Sequence, residues 1–109
     1  MKIEQLYEQL KSVNEPKAIY FNKDRDLVDE LLESLLLNKG RYGYMACPCR
    51  LACGDREKDK DIICPCVYRA QDLEEFEACY CGLYVSEALH NNKVESKYVP
   101  ERRPPEKIY

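Results

Sequence analysis

The chain has 109 residues, of which 45% are hydrophobic and 34% are charged, and its formal net charge is −3. We expect residues 1–109 to form a single domain with a modest core, because this length suits one domain. The acidic balance argues against a nucleic-acid-binding protein, which usually presents a basic stripe. No apolar run is long enough to span a bilayer.

The N-terminal segment reads MKIEQLYEQLK and mixes acidic with apolar residues. A signal peptide would instead have a continuous apolar core. We therefore expect a cytoplasmic protein. Disulfides are rare in that compartment, and clustered cysteines there more often bind metal or carry out redox chemistry.

Two amphipathic helices are predicted before the first cysteine. Apolar residues recur at three- and four-residue spacing from Ile3 onward, and Pro16 ends this first helix because proline disfavours helical geometry in the preceding residue. Asn22 or Asp24 can cap the second helix, and Gly40 is a natural left-handed stop. Its apolar face consists of Leu27, Val28, Leu31, Leu32, Leu35 and Leu36. We expect both helices to serve in packing.

The chain beyond residue 50 is less regular. The second half of residues 50–61 (RLACGDREKDKD) is almost entirely charged and is expected to be a solvated loop or a frayed turn. Residues 71–78 predict a short helix with Leu73 and Phe76 inward and its acids outward. Residues 82–90 predict a further helix.

Six of the seven cysteines fall into three Cys-x-Cys pairs. The pairs are Cys47 with Cys49, Cys64 with Cys66, and Cys79 with Cys81. Zinc sites usually space their cysteines by about two to four residues, so gaps of a single residue disfavour zinc. A [4Fe–4S] cluster takes four cysteines, which would leave two spare thiols beside it as a candidate redox dithiol. Counting alone does not show which cysteine has which role.

Four motifs resemble the catalytic subunit of ferredoxin:thioredoxin reductase. They are residues 47–52 (CPCRLA), 64–66 (CPC), 79–86 (CYCGLYVS) and 99–105 (VPERRPP). The ordered set of cysteine pairs is highly specific, and weaker similarity extends through the leucine-rich helix. The resemblance implies a small, mainly α domain of about five short helices wrapped around one [4Fe–4S] cluster.

The resemblance also implies a role for each paired cysteine. The cluster ligands would be Cys47, Cys64, Cys66 and Cys79, and the active-site disulfide would join Cys49 and Cys81. Cys81 would be the sulfur held at the cluster, and Cys49 the freed nucleophile that attacks the target disulfide. A ferredoxin-like carrier would supply the electrons, and a thioredoxin-like protein disulfide would accept them.

Two positions depart from the family pattern. Tyr80 stands in the third pair where plant and cyanobacterial members have a histidine to which proton transfer is ascribed. A phenol with its ordinary pKa of about 10 is a poor acid at neutral pH. Cys53 lies outside the pattern and is expected to be a free, inert cysteine. The loop lengths between the pairs suggest a stand-alone microbial or archaeal member, from a branch that can lack a dedicated variable subunit.

Several other residues lie near the pairs in sequence. Arg50 either favours a thiolate through its positive charge or is a solvated surface residue. Three tyrosines are expected to shield the cluster from solvent: Tyr44, Tyr68 and Tyr84. His90, the only histidine, is expected to contact a helix dipole rather than take part in catalysis.

The tail, residues 99–109 (VPERRPPEKIY), holds three prolines. We expect it to be extended and to pack along the body rather than form an element of its own. Its basic residues are candidates for a surface that docks an acidic ferredoxin: Arg102, Arg103 and Lys107. A tail that simply packs is the alternative.

Three functions remain open on these residues. The first is an iron–sulfur disulfide reductase, which the resemblance favours. The second is a non-catalytic iron–sulfur electron carrier, in which the spare cysteines are structural. The third and least favoured is a zinc-binding interaction module, because the cysteine spacings do not suit it.

Overall fold

The computed structural model of the chain describes residues 2–108. Within this range six α-helices and one two-stranded sheet form, which confirms the mainly α prediction. In chain order the elements are α1 (Ile3–Asn14), β1 (Ile19–Phe21), α2 (Arg25–Tyr42), α3 (Arg56–Asp59), α4 (Arg69–Phe76), β2 (Tyr84–Ser86), α5 (Glu87–His90) and α6 (Pro105–Ile108), with 3-10 turns at Glu15–Lys17 and Lys60–Ile62. Met1 and Tyr109, the ends of the predicted single domain, lie outside the described residues. In residues 2–108 we find no helix with the length and apolar character needed to cross a membrane.

The two long helices follow their local sequence signals with one exception. The Asp24 carboxylate accepts a hydrogen bond from the Leu27 N–H at 3.1 Å, so Asp24 is the N-cap of α2. The predicted stop at Gly40 is wrong, because α2 continues to Tyr42. Gly43 ends the helix instead, with a left-handed φ of 85° that glycine adopts without strain.

An antiparallel pairing of β1 with β2 joins the N-terminal helices to the segment after the third cysteine pair, with Phe21 opposite Tyr84. Residues 82–90 therefore do not form the single helix predicted. Tyr84 and Val85 belong to residue types that favour strands, and only the last part of the segment is helical. The shared apolar core consists of Leu6, Phe21, Val28, Leu31, Leu32, Leu35, Cys79, Leu83 and Tyr84. Cys79 is thus fixed within that core.

The charged half of segment 50–61 is mostly exposed, in agreement with the prediction, but the prediction is wrong for Asp59 and Asp61, which point inward. Asp59 is 1% exposed, and its carboxylate accepts hydrogen bonds from the backbone N–H groups of residues 53 and 54. The Tyr44 hydroxyl donates to the same carboxylate at 2.5 Å. Asp61 is buried as well. These partners explain how acidic side chains can be placed in the interior.

The tail packs along the body through ion pairs. Arg103 is 4% exposed, and its Nε donates to the Asp61 carboxylate at 2.9 Å. The Nε of Arg102 donates to the Asp72 carboxylate at 3.0 Å. The docking interpretation is therefore wrong for the buried Arg103, whereas Arg102, whose side chain is 24% exposed, is ion-paired within the protein and its docking role stays a prediction. Lys107 remains exposed.

The tail and the acids of α4 also differ from the sequence predictions. The tail is not extended throughout, since α6 begins at Pro105, and proline is well suited to the first position of a helix. The acids of α4 do not all face outward, because Asp72 is fully buried. Its burial was not visible in the sequence, because the compensating charge comes from Arg102 in the tail.

Candidate functional site

Short backbone pairings bring the three cysteine pairs together. The Cys47 N–H donates to the Ile62 carbonyl at 2.8 Å, and the Cys64 N–H donates to the Met45 carbonyl at 2.8 Å. The first and second pairs therefore lie side by side. The third pair lies between α4 and β2, where Cys79 is anchored in the apolar core.

Five of the six paired cysteines line one cavity. They are Cys47, Cys64, Cys66, Cys79 and Cys81. Cys49 does not line this cavity; it is exposed and lines a neighbouring outer cleft. Cys79 and Cys81 line both the cavity and the cleft. The four cysteines expected to bind a cluster thus share one space, and the two expected to form a disulfide lie at its outer side.

Cys81 lies beside three other cysteines, Cys47, Cys49 and Cys79, and its Sγ is 3.7 Å from the Cys79 Sγ. Its hydrogen bonds lower the pKa of Cys47 to about 6 and the pKa of Cys79 to about 7, although burial acts in the opposite direction. A hydrogen bond from Cys81 also lowers the pKa of Cys49. The pKa of Cys81 itself is raised, because these bonds stabilise its protonated form. Cys81 is therefore within hydrogen-bonding reach of two expected cluster ligands and of Cys49.

Arg50 is buried and points at the sulfurs, which decides between its two interpretations. Its Nη1 lies 3.4 Å from the Cys66 Sγ and 3.8 Å from the Cys47 Sγ. Burial raises the pKa of Cys66, and the positive charge of Arg50 opposes that effect. Arg50 is therefore not a solvated surface residue. It contacts the sulfurs of Cys66 and Cys47 and not the sulfur of Cys49.

Arg69 of α4 is a second cation lining the cavity, and no sequence motif singled it out. Its guanidinium lies 4.8 Å from the centroid of the Tyr84 ring, and its Nη1 donates to the Asn14 Oδ1 at 2.8 Å. Within residues 2–108 it forms no ion pair with a carboxylate. A half-buried charge without a counter-ion favours an anionic occupant of the cavity.

The donor set of the cavity fits an iron–sulfur cluster. In the part of the chain that the structure describes, no three His, Cys, Asp or Glu side chains converge as ligands of a single metal ion. The four thiolates of a [4Fe–4S] cluster each bind a different iron, so the sulfurs need to surround a shared space rather than converge on a point. A cluster held by four thiolates is anionic, and Arg50 and Arg69 can offset that charge.

The tyrosines near the pairs differ in their positions. Tyr84 lines the cavity and Tyr68 packs against Cys47, which agrees with a shielding role. Tyr44 lies outside both groups, so the expectation that it shields the site is wrong. Tyr80 lines both the cavity and the cleft, and burial raises its pKa, which makes it a still poorer proton donor at neutral pH.

Cys53 and His90 lie away from the cavity. Cys53 is exposed, and its thiol donates to the Asp59 Oδ1 at 3.3 Å, while its inertness stays a prediction. His90 ends α5, where a dipole contact was predicted, and its ring stacks on Tyr20 at 4.4 Å between centroids. All seven cysteines are free thiols in this structure, so the Cys49–Cys81 disulfide stays a prediction.

A family model described as the ferredoxin thioredoxin reductase catalytic beta chain matches residues 1–102. The chain belongs to this family. No curated protein matches it. Membership of the ferredoxin thioredoxin reductase family implies an iron–sulfur protein with catalytic-subunit activity that interacts with ferredoxin and thioredoxin. The family match extends well beyond the cysteine motifs, which agrees with the resemblance seen in the sequence.

Proposed function

We propose that this chain is a disulfide reductase in which a single [4Fe–4S] cluster lies beside a redox-active dithiol. The cluster ligands are Cys47, Cys64, Cys66 and Cys79, and the dithiol is Cys49 with Cys81. One observation carries the proposal: the four ligands line the cavity, the exposed Cys49 lines the outer cleft but not the cavity, and Cys81 lies at the border within hydrogen-bonding reach of Cys49. This is the arrangement needed to pass electrons from a buried centre to an external disulfide.

When bound, the cluster supplies electrons one at a time, whereas cleavage of a disulfide takes two. The exposed Cys49 thiolate attacks one sulfur of the target disulfide, and the other target sulfur leaves as a thiolate. The Cys81 thiolate then attacks Cys49 in this mixed disulfide. The second target thiol is released and the Cys49–Cys81 disulfide closes, so two electrons and two protons are needed to restore the dithiol.

The electron donor in this proposal is a ferredoxin or a similar one-electron carrier, and the acceptor is thioredoxin or another protein disulfide. Family membership supports both classes of partner. We further propose that the chain acts in the cytoplasm as a single domain, without a variable subunit. The exposure of Cys49 supports a protein acceptor, because a disulfide on another protein can reach it only at the surface.

The first experiment is quantification of iron and sulfide in anaerobically purified protein, together with its visible absorption spectrum. We expect a brown protein with about four irons and four sulfides per chain. A colourless protein with stoichiometric zinc, even after cluster reconstitution, would instead support a zinc-binding interaction module and overturn the proposal.

The second experiment separates a reductase from a simple electron carrier. Cys49→Ser is expected to abolish reduction of a thioredoxin disulfide while iron and sulfide are retained. Cys81→Ser is expected to trap the target in a mixed disulfide with Cys49. Cys53→Ser is the matched control, because Cys53 is also exposed but bonds to Asp59 away from the cavity, and its activity should equal that of the wild type. Disulfide reduction that survives Cys49→Ser with the cluster intact would favour the carrier.

A further inference from the structure

Arg50 is the one positive group in the described chain with hydrogen bonds to cysteine sulfurs. Its side chain is 2% exposed, and its Nη1 faces both Cys66 and Cys47. Both of these cysteines are cluster ligands in the proposed function. A cation in this position cannot be screened by solvent in the way that a surface arginine is.

Groups from distant parts of the chain hold Arg50 in place. Glu101 in the tail accepts hydrogen bonds from the Nε at 2.9 Å and from the Nη2 at 2.8 Å. The aromatic rings of Tyr68 and Tyr80 lie with their centroids 5.1 Å and 4.6 Å from the guanidinium carbon. The carboxylate thus binds one edge of the guanidinium, and the Nη1 on the other edge is left to face the sulfurs.

We propose that Arg50 raises the reduction potential of the cluster by placing a fixed positive charge and an N–H donor against the sulfurs of Cys66 and Cys47. The inference rests on the proposed function, since it needs a cluster on those sulfurs. Hydrogen bonds and charge at the thiolate ligands are among the main determinants of the potential of an iron–sulfur centre. Reduction adds negative charge, and the guanidinium is the end of the Arg50–Glu101 pair that contacts the sulfurs, so the pair stabilises the reduced form more than the oxidised form.

The test is a redox titration of the cluster, followed by electron paramagnetic resonance, in the Cys49→Ser background. That background removes the disulfide, so only electrons on the cluster are counted. For Arg50→Met we expect the equilibrium constant of one-electron reduction to fall about tenfold, because a charged hydrogen bond is lost. This corresponds to a midpoint potential about 59 mV more negative. Arg50→Lys keeps the charge but not the planar donor, so a smaller shift in the same direction is expected.

Arg102→Met is the matched control, since Arg102 also anchors the tail by an ion pair but makes no hydrogen bond to a cysteine. The midpoint potential of its cluster should equal that of the Cys49→Ser protein. Equal shifts in Arg102→Met and Arg50→Met would overturn the inference, because they would show a general loosening of the tail. Unchanged potentials in Arg50→Met and Arg50→Lys would overturn it as well.

The outcomes also separate this inference from the proposed function. If the Cys49→Ser protein and the wild type contain no iron and sulfide, the proposed function itself is contradicted. A cluster in the Cys49→Ser protein whose midpoint potential does not change when Arg50 is substituted contradicts only the inference. Should Arg50→Met fail to retain iron, the Arg50→Lys titration decides: a negative shift supports the inference and an unchanged potential overturns it.

Discussion

The N-terminal helices and the cysteine-bearing segment are stabilised in different ways. Residues 3–42 are held by an apolar core in which Val28, Leu32 and Leu35 are fully buried. Residues 43–104 contain a lower proportion of large apolar side chains and instead bury carboxylates, two of them against arginines. The first region resembles any small helical domain. The second depends on matched charges brought together from far apart in the sequence.

The charged contacts of the second region fix geometry more than they add stability. A buried ion pair loses much of its attraction to desolvation, and an apolar replacement of similar shape is often as stable. The pairs of the tail nonetheless decide where it lies: Glu101 meets Arg50, Arg102 meets Asp72, and Arg103 meets Asp61. Three consecutive residues thereby bind three separate parts of the body. The apolar region supplies a scaffold, and the charged region positions the site on it.

The largest expected effect comes from breaking a buried ion pair of the second region. Arg103→Met should lower the free energy of unfolding by about 3–5 kcal/mol, because Asp61 is left buried without its cation. Urea denaturation followed by circular dichroism measures this. The double variant Arg103→Met with Asp61→Asn should recover most of the loss, since it removes both charges. A single-variant loss below about 1 kcal/mol would show that the pair behaves as a surface contact.

A core truncation in the first region should cost slightly less and should not involve charge. Leu32→Ala is expected to lower the free energy of unfolding by about 2–5 kcal/mol, because Leu32 is fully buried. The loss should be the same at low and high salt. Leu37→Ala, at a position 59% exposed on the same helix, is the matched control and should have little effect. Similar losses at both positions would contradict the assignment of the apolar face.

Acid should weaken the second region before the first. Burial disfavours the charged form of Asp59, but hydrogen bonds from Tyr44 and from residues 53 and 54 outweigh it and hold the pKa of Asp59 below its usual range. A carboxyl with a lowered folded-state pKa stabilises the fold above its unfolded-state pKa, and that stability is lost as pH falls through the folded value. Below about pH 5 we expect a slope of up to about 1.4 kcal/mol per pH unit for each such group.

Unfolding free energies measured across this acid range test the assignment. Asp59→Asn should reduce the slope, because the amide does not titrate. Leu32→Ala should lower the free energy of unfolding equally at every pH, without changing the slope against pH. An unchanged slope in Asp59→Asn would mean that other carboxyls cause the acid sensitivity.

The smallest effect is expected from the surface ion pairs of the first region. Arg25 contacts Glu4 at 2.8 Å and Asp29 at 2.9 Å, but its side chain is 43% exposed. Arg25→Ala should therefore change the free energy of unfolding by no more than about 1 kcal/mol, and less at high salt. The same urea denaturation at two salt concentrations measures it. A loss as large as that of Arg103→Met would remove the distinction between the two regions.

Short-range patterns were sufficient to predict much of the first region. The apolar spacing of α1 and α2 and the cap at Asp24 act within a few residues, and the structure agrees with them. The prediction at Gly40 was wrong because a glycine is tolerated inside a helix, and the left-handed stop lies three residues later at Gly43. β2 was misjudged because Tyr84 and Val85 form a strand only by pairing with β1, which lies far away in the sequence.

The charged segments could not be predicted in the same way. Asp59, Asp61 and Asp72 occur in runs that are typical of solvated surface, and nothing local distinguishes them from their exposed neighbours. Each is buried because a specific partner from another part of the chain satisfies it. The orientation of the Arg50 side chain could not be predicted either, because it depends on the ion pair with Glu101 in the tail.

The sequence by itself determined that six cysteines form three pairs, that long amphipathic helices precede them, and that the motifs are those of the ferredoxin thioredoxin reductase family. Only the tertiary structure decided that Cys49 faces the outer cleft, that Cys81 borders both spaces, and that Arg50 points at sulfur. The physical reason is the distance along the chain over which each effect acts. Periodicity and motif spacing act along the chain, whereas burial of a charge and exposure of a thiol depend on which distant segments pack around them.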